Sequence, residues 1–387
     1  MKRFLLTSLL SLIFLTTGCD RSSPITPSGK VVKIGFIGPQ HGSDLGQGQG
    51  QGQGQDTLEG VLAAQAILPL LNNGDRVEVI EEDSGNDSAA IRRAMQKLVQ
   101  EDGVALLLLG VDSQSLLPVS QFAESLQTPA IALIATHPDL VSGSAYISQL
   151  CFDDDTQGAV AALFVRDELL IKRAAVIVDS DDPHSKRLQA AFEKKFTGTG
   201  GVLTGSHAVT ETDEVLLQYL QAQETKLLYL PISAQSMLQI QSTLAEIGWS
   251  PEIMAVDGLL ASILGQFPGQ AGDIDGIYAT DLFSDSGDFV RHKRLGRAAV
   301  ASFENLFDGE VNTFTGLGVE GYAIAVHAMN QCLPVQDRRC INTAIRSTEN
   351  FEGTMAKISI DNNGRATRPV YVNTIENGLL DSVVKVY

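Results

Sequence analysis

Six histidines are the first residues to test for chemistry: His41, His137, His184, His207, His292 and His327. No pair of them has a metal-ligand spacing. The chain also has no Gly-x-Ser-x-Gly elbow, no phosphate-binding P-loop and no His-Glu-x-x-His pair, so no nucleophile–base set emerges. Asp153-Asp154-Asp155 suggests a cation, but an N-cap with favourable helix-dipole placement explains it more simply. Asp361-Asn362-Asn363-Gly364 resembles the start of a calcium loop without the closing glutamate, and is read as a turn. Cys151, between Leu150 and Phe152, reads as a small buried hydrophobe. His327 is expected in the packed face of an apolar helix, and Trp249 in a helix-to-strand connection. The expectation is a non-enzyme without metal or cofactor.

The N-terminus carries a different kind of chemistry. Lys2 and Arg3 precede an almost wholly apolar run, Phe4 to Leu15, that is too short to span a bilayer, and Thr16-Thr17-Gly18 lead into Cys19. This resembles a bacterial lipoprotein signal. The resemblance implies cleavage after residues 1–18, lipidation at Cys19, a tether over 19–30, and, through Asp20, retention at the inner membrane facing the periplasm. No later stretch is apolar for long enough to span a membrane, so attachment rests on the lipid anchor alone. The net charge of −18 becomes two units more negative once Lys2 and Arg3 leave, which disfavours nucleic acid as a partner. In an oxidising compartment Cys332 and Cys340 are expected to form a disulfide.

From Val31 onward, short aliphatic runs alternate with amphipathic stretches. Strands are expected at Val31–Ile37, Arg76–Glu82, Ala105–Leu109 and Ala130–Ile134, interleaved with helices at Thr57–Leu71, Ser88–Gln100 and Ser115–Leu126. The rhythm restarts at helix Thr156–Glu168 and runs through strand Gly276–Ala279. Strands apolar on both faces call for a parallel sheet covered by helices, and two such series call for two doubly wound lobes. Helices Val290–Phe307 and Val319–Asn330 follow, then a hairpin pairing Met355–Ile360 with Val370–Ile375. Gly and Gln alternate from Gly46 to Gln55, which is read as a mobile loop at the carboxyl edge of the first sheet.

Four stretches resemble the periplasmic solute-binding proteins of ABC transporters, type I fold, in the branched-chain amino acid/amide group. They are Lys33–Pro39 with Glu59–Ala64, Glu82-Asp83-Ser84 with the helix to Val99, Ile134–Leu140, and Phe152–Gly158. The resemblance implies a clamshell whose lobes are residues 31–150 with 281–357 and residues 151–280 with 358–387, crossed near Leu150, Thr280 and Ile358. It aligns Ser113 and Thr136 with hydroxyls that bind a substrate carboxylate. Ile134 aligns with a backbone carbonyl facing the ammonium, and Asp257 with the acidic residue that pairs with it. A zwitterion does require donors at one end and an anion at the other, away from water. From position alone, Ser113, Thr136 and Asp257 serve equally as helix caps.

The sequence departs from the family where a Tyr-Gly pair often follows the second lobe's first strand: Asp181-Asp182-Pro183-His184-Ser185 stands there. Ser233 or Ala234 replaces another cleft aromatic, and His41 is a substitute contact or a surface residue. The implied function is capture of a small amino acid or amide-like solute by a monomer and delivery to an ABC permease in the inner membrane. The alternative is an envelope scaffold that uses the same fold to bind a protein partner.

Overall fold

A computed structural model describes residues 25–39, 50–85, 87–282, 294–307, 311–335, 337–354 and 356–386. Residues 1–18, Cys19, the start of the tether, His41 and His292 lie outside them.

The first unit runs β1 (Val31–Gly38), α1 (Gly50–Ile67), β2 (Arg76–Asp83), α2 (Ser88–Gln100), β3 (Leu106–Leu109), α3 (Ser113–Leu116), α4 (Phe122–Ser125), β4 (Ala130–Ala132) and β5 (Ile147–Gln149). Its five strands pair in parallel in the order β2-β1-β3-β4-β5. All four leucines of β3 are buried, as a central strand covered on both faces requires. α2 shows how one helix is specified. Asp87 caps it by accepting from Ala90 N, and Ile91, Ala94, Met95, Leu98 and Val99 put one apolar stripe inward.

The second unit runs α5 (Asp154–Asp167), β6 (Arg173–Val178), α6 (Pro183–Gly198), β7 (Val202–Ala208), α7 (Glu214–Ala222), β8 (Leu227–Tyr229), α8 (Ala234–Ile247), β9 (Glu252–Ala255), α9 (Leu259–Gln266) and β10 (Tyr278–Asp281). The chain then returns to the first unit with α10 (Arg294–Leu306), α11 (Thr313–Gln331) and α12 (Arg338–Arg346). There the Ser302 hydroxyl donates to Ala63 O on α1, and Arg338 donates to Val104 O. A small sheet follows, β11 (Phe351–Glu352), β12 (Lys357–Ile360) and β13 (Ala366–Thr367). Finally β14 (Tyr371–Glu376) and β15 (Leu379–Val386) join antiparallel to complete a seven-stranded sheet, β15-β14-β10-β9-β8-β6-β7. The architecture is α/β with two doubly wound sheets.

Several expectations need correction. Residues 50–55 of the Gly-Gln tract are helical, not loop, and 46–49 lie outside the described residues. Tertiary packing overrides their poor helix propensity: a Cβ on Gly54 would stand 2.4 Å from Pro39 Cδ and 3.1 Å from Gly110 O. Helix α11 starts at Thr313, ahead of the expected Val319, because Asn312 and Thr315 form a capping box. His327 is exposed rather than packed, with its ring nitrogen 2.9 Å from Gln331 Nε2. The hairpin between Met355–Ile360 and Val370–Ile375 does not form. Instead Ser359 and Ile360 pair with Thr367 and Ala366, while Tyr371–Thr374 pair with β10.

That pairing also moves the third passage between the units. Ile360 N donates to Thr348 O, Gln149 N to Gly364 O, and Arg346 Nη1 to Asn362 O. Residues 358–367 therefore stay with the first unit, and the passage lies between Thr367 and Tyr371 rather than near Ile358. A disulfide joins Cys332 to Cys340 across 5.9 Å between Cα atoms, fastening the end of α11 to α12.

Candidate functional site

Parallel strands deliver their following loops to one edge of a sheet, and the candidate residues lie at such carboxyl edges. None of them caps a helix. Asp112, not Ser113, caps α3 by accepting from Ser115 N at 2.7 Å. Ser113 Oγ instead accepts from Thr136 N at 3.0 Å and His137 N at 3.1 Å, so it staples the loop after β4 to the loop after β3. A hydroxyl has one hydrogen besides its two lone pairs, and that donor remains for another partner. Gly258, with positive φ of 70° and no side-chain cap bond, precedes α9, which leaves Asp257 uninvolved in capping.

Two clusters meet here. In the first, Asp154 is 1 % exposed, with His184 Nδ1 3.1 Å from one carboxylate oxygen and Arg187 Nε 2.9 Å from the other. Asp154 N donates to Thr136 O at 3.2 Å, which ties the start of α5 to the loop after β4. Burial is the largest influence on Asp154 and opposes its ionisation. The His184 bond and charge, the Thr136 hydroxyl and Arg187 together outweigh burial and hold the carboxyl below its ordinary range. His184 responds in the opposite sense. Burial disfavours its charge, but Asp154 above all, with Asp257 and Asp182, pushes it up to about 9, so it is an imidazolium at neutral pH.

In the second cluster, Gln157 Nε2 donates to Asp257 Oδ1 at 2.6 Å and to Thr280 Oγ1 at 2.9 Å. Burial raises the Asp257 carboxyl, opposed by the His184 charge and the Gln157 bond. Tyr229, fully buried, stacks on Phe192 at 4.2 Å between centroids, and its hydroxyl has no partner among the described residues.

A family model described as periplasmic binding protein matches residues 31–379. The chain belongs to the periplasmic binding protein family. An amino acid binding protein of Pseudomonas aeruginosa is 24% identical over 310 residues, 78% of this chain and 77% of that one. Among solved structures, a leucine binding protein of Thermotoga maritima has a TM-score of 0.75 at 24% identity, covering 92% of this chain and 97% of that chain. A branched-chain amino acid transporter substrate binding protein of Streptococcus pneumoniae, in complex with isoleucine, has a TM-score of 0.77 at 19% identity, covering 92% and 99%. These likenesses concern the fold.

As a periplasmic binding protein, this chain places Ser113, Ile134 and Thr136 together at the edge of the five-stranded sheet, and Asp257 at the edge of the seven-stranded one. Asp154, His184, Arg187 and Gln157 escaped sequence reasoning. A signal for His184 did exist, since it stands where the family often has Tyr-Gly, but nothing in the sequence showed that it would meet Asp154 on another helix. Cys151 is enclosed, its thiol donates to Leu133 O at 2.9 Å, and burial pushes its pKa up, which suits a packed hydrophobe. Ser233 caps α8 by accepting from Ser236 N. A groove of about 830 Å³ along Val31–Lys33 and Arg338 opens at the opposite edge of the first sheet.

Proposed function

We propose that this periplasmic binding protein captures a small amino acid or amide-like solute outside the cytoplasm and delivers it to an ABC permease. It works by hinge closure, as a monomer tethered to the inner membrane through lipidated Cys19, and performs no chemistry. Ser113 and Thr136 hold the carboxylate of the solute, and the Ile134 carbonyl and Asp257 face its ammonium. The observation that carries this reading is the placement of donors and a carboxylate on separate sheets, so that one dipolar solute favours the closed arrangement. The amino acid ligands named for the relatives support the same solute class.

The Thr136 hydroxyl also favours the ionised form of Asp154. Turning it to a solute leaves Asp154 with His184 and Arg187, two partners it already has. The absence of cleft aromatics at Asp181–Ser185 and Ser233-Ala234 favours the second reading, an envelope scaffold that uses the same fold to bind a protein partner.

A thermal-shift screen against amino acids, amides and small carboxylates separates the two. A solute that raises the melting temperature of the wild type but not of Asp257→Ala supports solute capture. A flat response across the panel removes it.

A further inference from the structure

Gln157 stands on the first turn of α5 with its side chain fully enclosed. Both hydrogens of its amide are committed, one to Asp257 Oδ1 and one to Thr280 Oγ1. An ionised carboxylate only accepts, so the amide nitrogen must face Asp257, and the reverse orientation would set oxygen against oxygen. The orientation leaves Gln157 Oε1 enclosed and without a partner among the described residues. A buried carbonyl is not left unpaired without a compensating gain, and here the gain is the fixed carboxylate. The Gln157 bond occupies one lone-pair site of Asp257, which leaves others on a group that has about four.

We propose that Gln157 is the positioning residue of the ammonium seat: it holds Asp257 by one oxygen in the ionised form and presents the remaining acceptor sites to the amine of the solute. The inference rests on the assignment of Asp257 to that amine. The same amide ties the seat to Thr280, beside Asp281, which accepts from Thr313 Oγ1 at 2.5 Å at the start of α11. The charges of His184 on α6 and Asp154 on α5 also act on Asp257, the first favouring its ionised form and the second opposing it. Both remain in a Gln157 variant, so a difference from wild type isolates the amide.

Two measurements on the mature full-length chain decide it, with melting temperature confirming that each variant folds and Gln157→Met replacing Gln157→Leu if the latter does not. The first is a solute-free NMR titration with carboxyl-labelled aspartate, in which Asp257→Asn assigns the signal. Gln157→Leu moves the Asp257 midpoint upward, and an unmoved midpoint overturns the proposal. The second is calorimetry with L-leucine and with 4-methylpentanoate, the same skeleton without the amine. Gln157→Leu weakens leucine about tenfold, the loss of one charge-assisted hydrogen bond, and changes 4-methylpentanoate less than about twofold. Equal losses on both overturn it. Should neither compound bind the wild type, the amino acid reading loses its support while the titration still rules on Gln157.

Discussion

The Arg368 guanidinium lies 2.9 Å from Glu320 Oε2, with their side chains 2 % and 1 % exposed. Glu320 Oε1 is satisfied separately by Thr354 N and the Thr354 hydroxyl. Arg368 lies on the third passage between the sheets and also reaches Leu282 O, on the second, at 3.5 Å. One buried pair thus fastens two of the connecting strands to α11. Removing one partner strands a buried charge, so Arg368→Met or Glu320→Gln alone should cost about 3–5 kcal/mol in urea unfolding. The double change Arg368→Met with Glu320→Met should cost less than either single change, because no uncompensated charge remains.

His184 should make stability fall with alkali. Its folded value, near 9, lies above its ordinary 6.5, so its contribution is fully present below about 6.5 and disappears as pH rises through 9. Asp154 has the opposite sign: depressed when folded, it contributes above its ordinary value and is lost on acidification. The expected outcome is a denaturation midpoint that drops between pH 7 and 9.5 in the wild type and stays flatter in His184→Gln. The His184 side chain is 34% exposed, so added salt should shrink the difference.

Glycines on one pair of helices should respond oppositely to the same substitution. A Cβ on Gly318 of α11 would stand 2.0 Å from Thr57 O on α1, and one on Gly60 would stand 2.1 Å from Thr315 O. Backbone cannot yield there, so Gly318→Ala should cost about 3 kcal/mol or leave the protein insoluble. Gly52 of α1 is exposed with nothing within 4 Å, and Gly52→Ala should gain up to about 1 kcal/mol from helix propensity. Chemical denaturation of the three proteins side by side tests both signs.

Replacing Cys332 and Cys340 together by serine opens a bridge with a sequence separation of 8. Chain-entropy arithmetic for so short a loop gives a loss of about 2–3 kcal/mol, readable as a lower urea midpoint matched by the reduced wild type.

Helix Ser88–Gln100 and strand Arg173–Val178 were legible to the residue, because an apolar stripe or an unbroken aliphatic run dictates each. β5 was not: Ser148 and Gln149 are about 1 % exposed, so a strand buried on both faces carries two polar side chains and no alternation. α12 hides behind Arg338-Arg339, whose long stems mask an inward Ile341, Ala344 and Ile345. The Gly-Gln segment folds as helix for a reason stored far away, in the backbone it must approach. Ser113, Thr136 and Asp257 were singled out through the resemblance to the family, whereas position alone read them as helix caps. The partners that set the charge and orientation of Asp257 come from α5 and α6, and sequence spacing cannot bring Asp154 to His184 or Gln157 to Asp257.

The second sheet opens with the strand at Arg173 and closes with the one ending at Val386. In the order of synthesis, β10 pairs with β9 on one side but keeps its other edge open until β14 has been made. Helices α10 to α12 complete the earlier unit only after α5 to β10 of the other have been made. The first unit therefore cannot close before most of the second has been made, and the second cannot close until β14 and β15 follow, so the two sheets depend on each other's place in the chain.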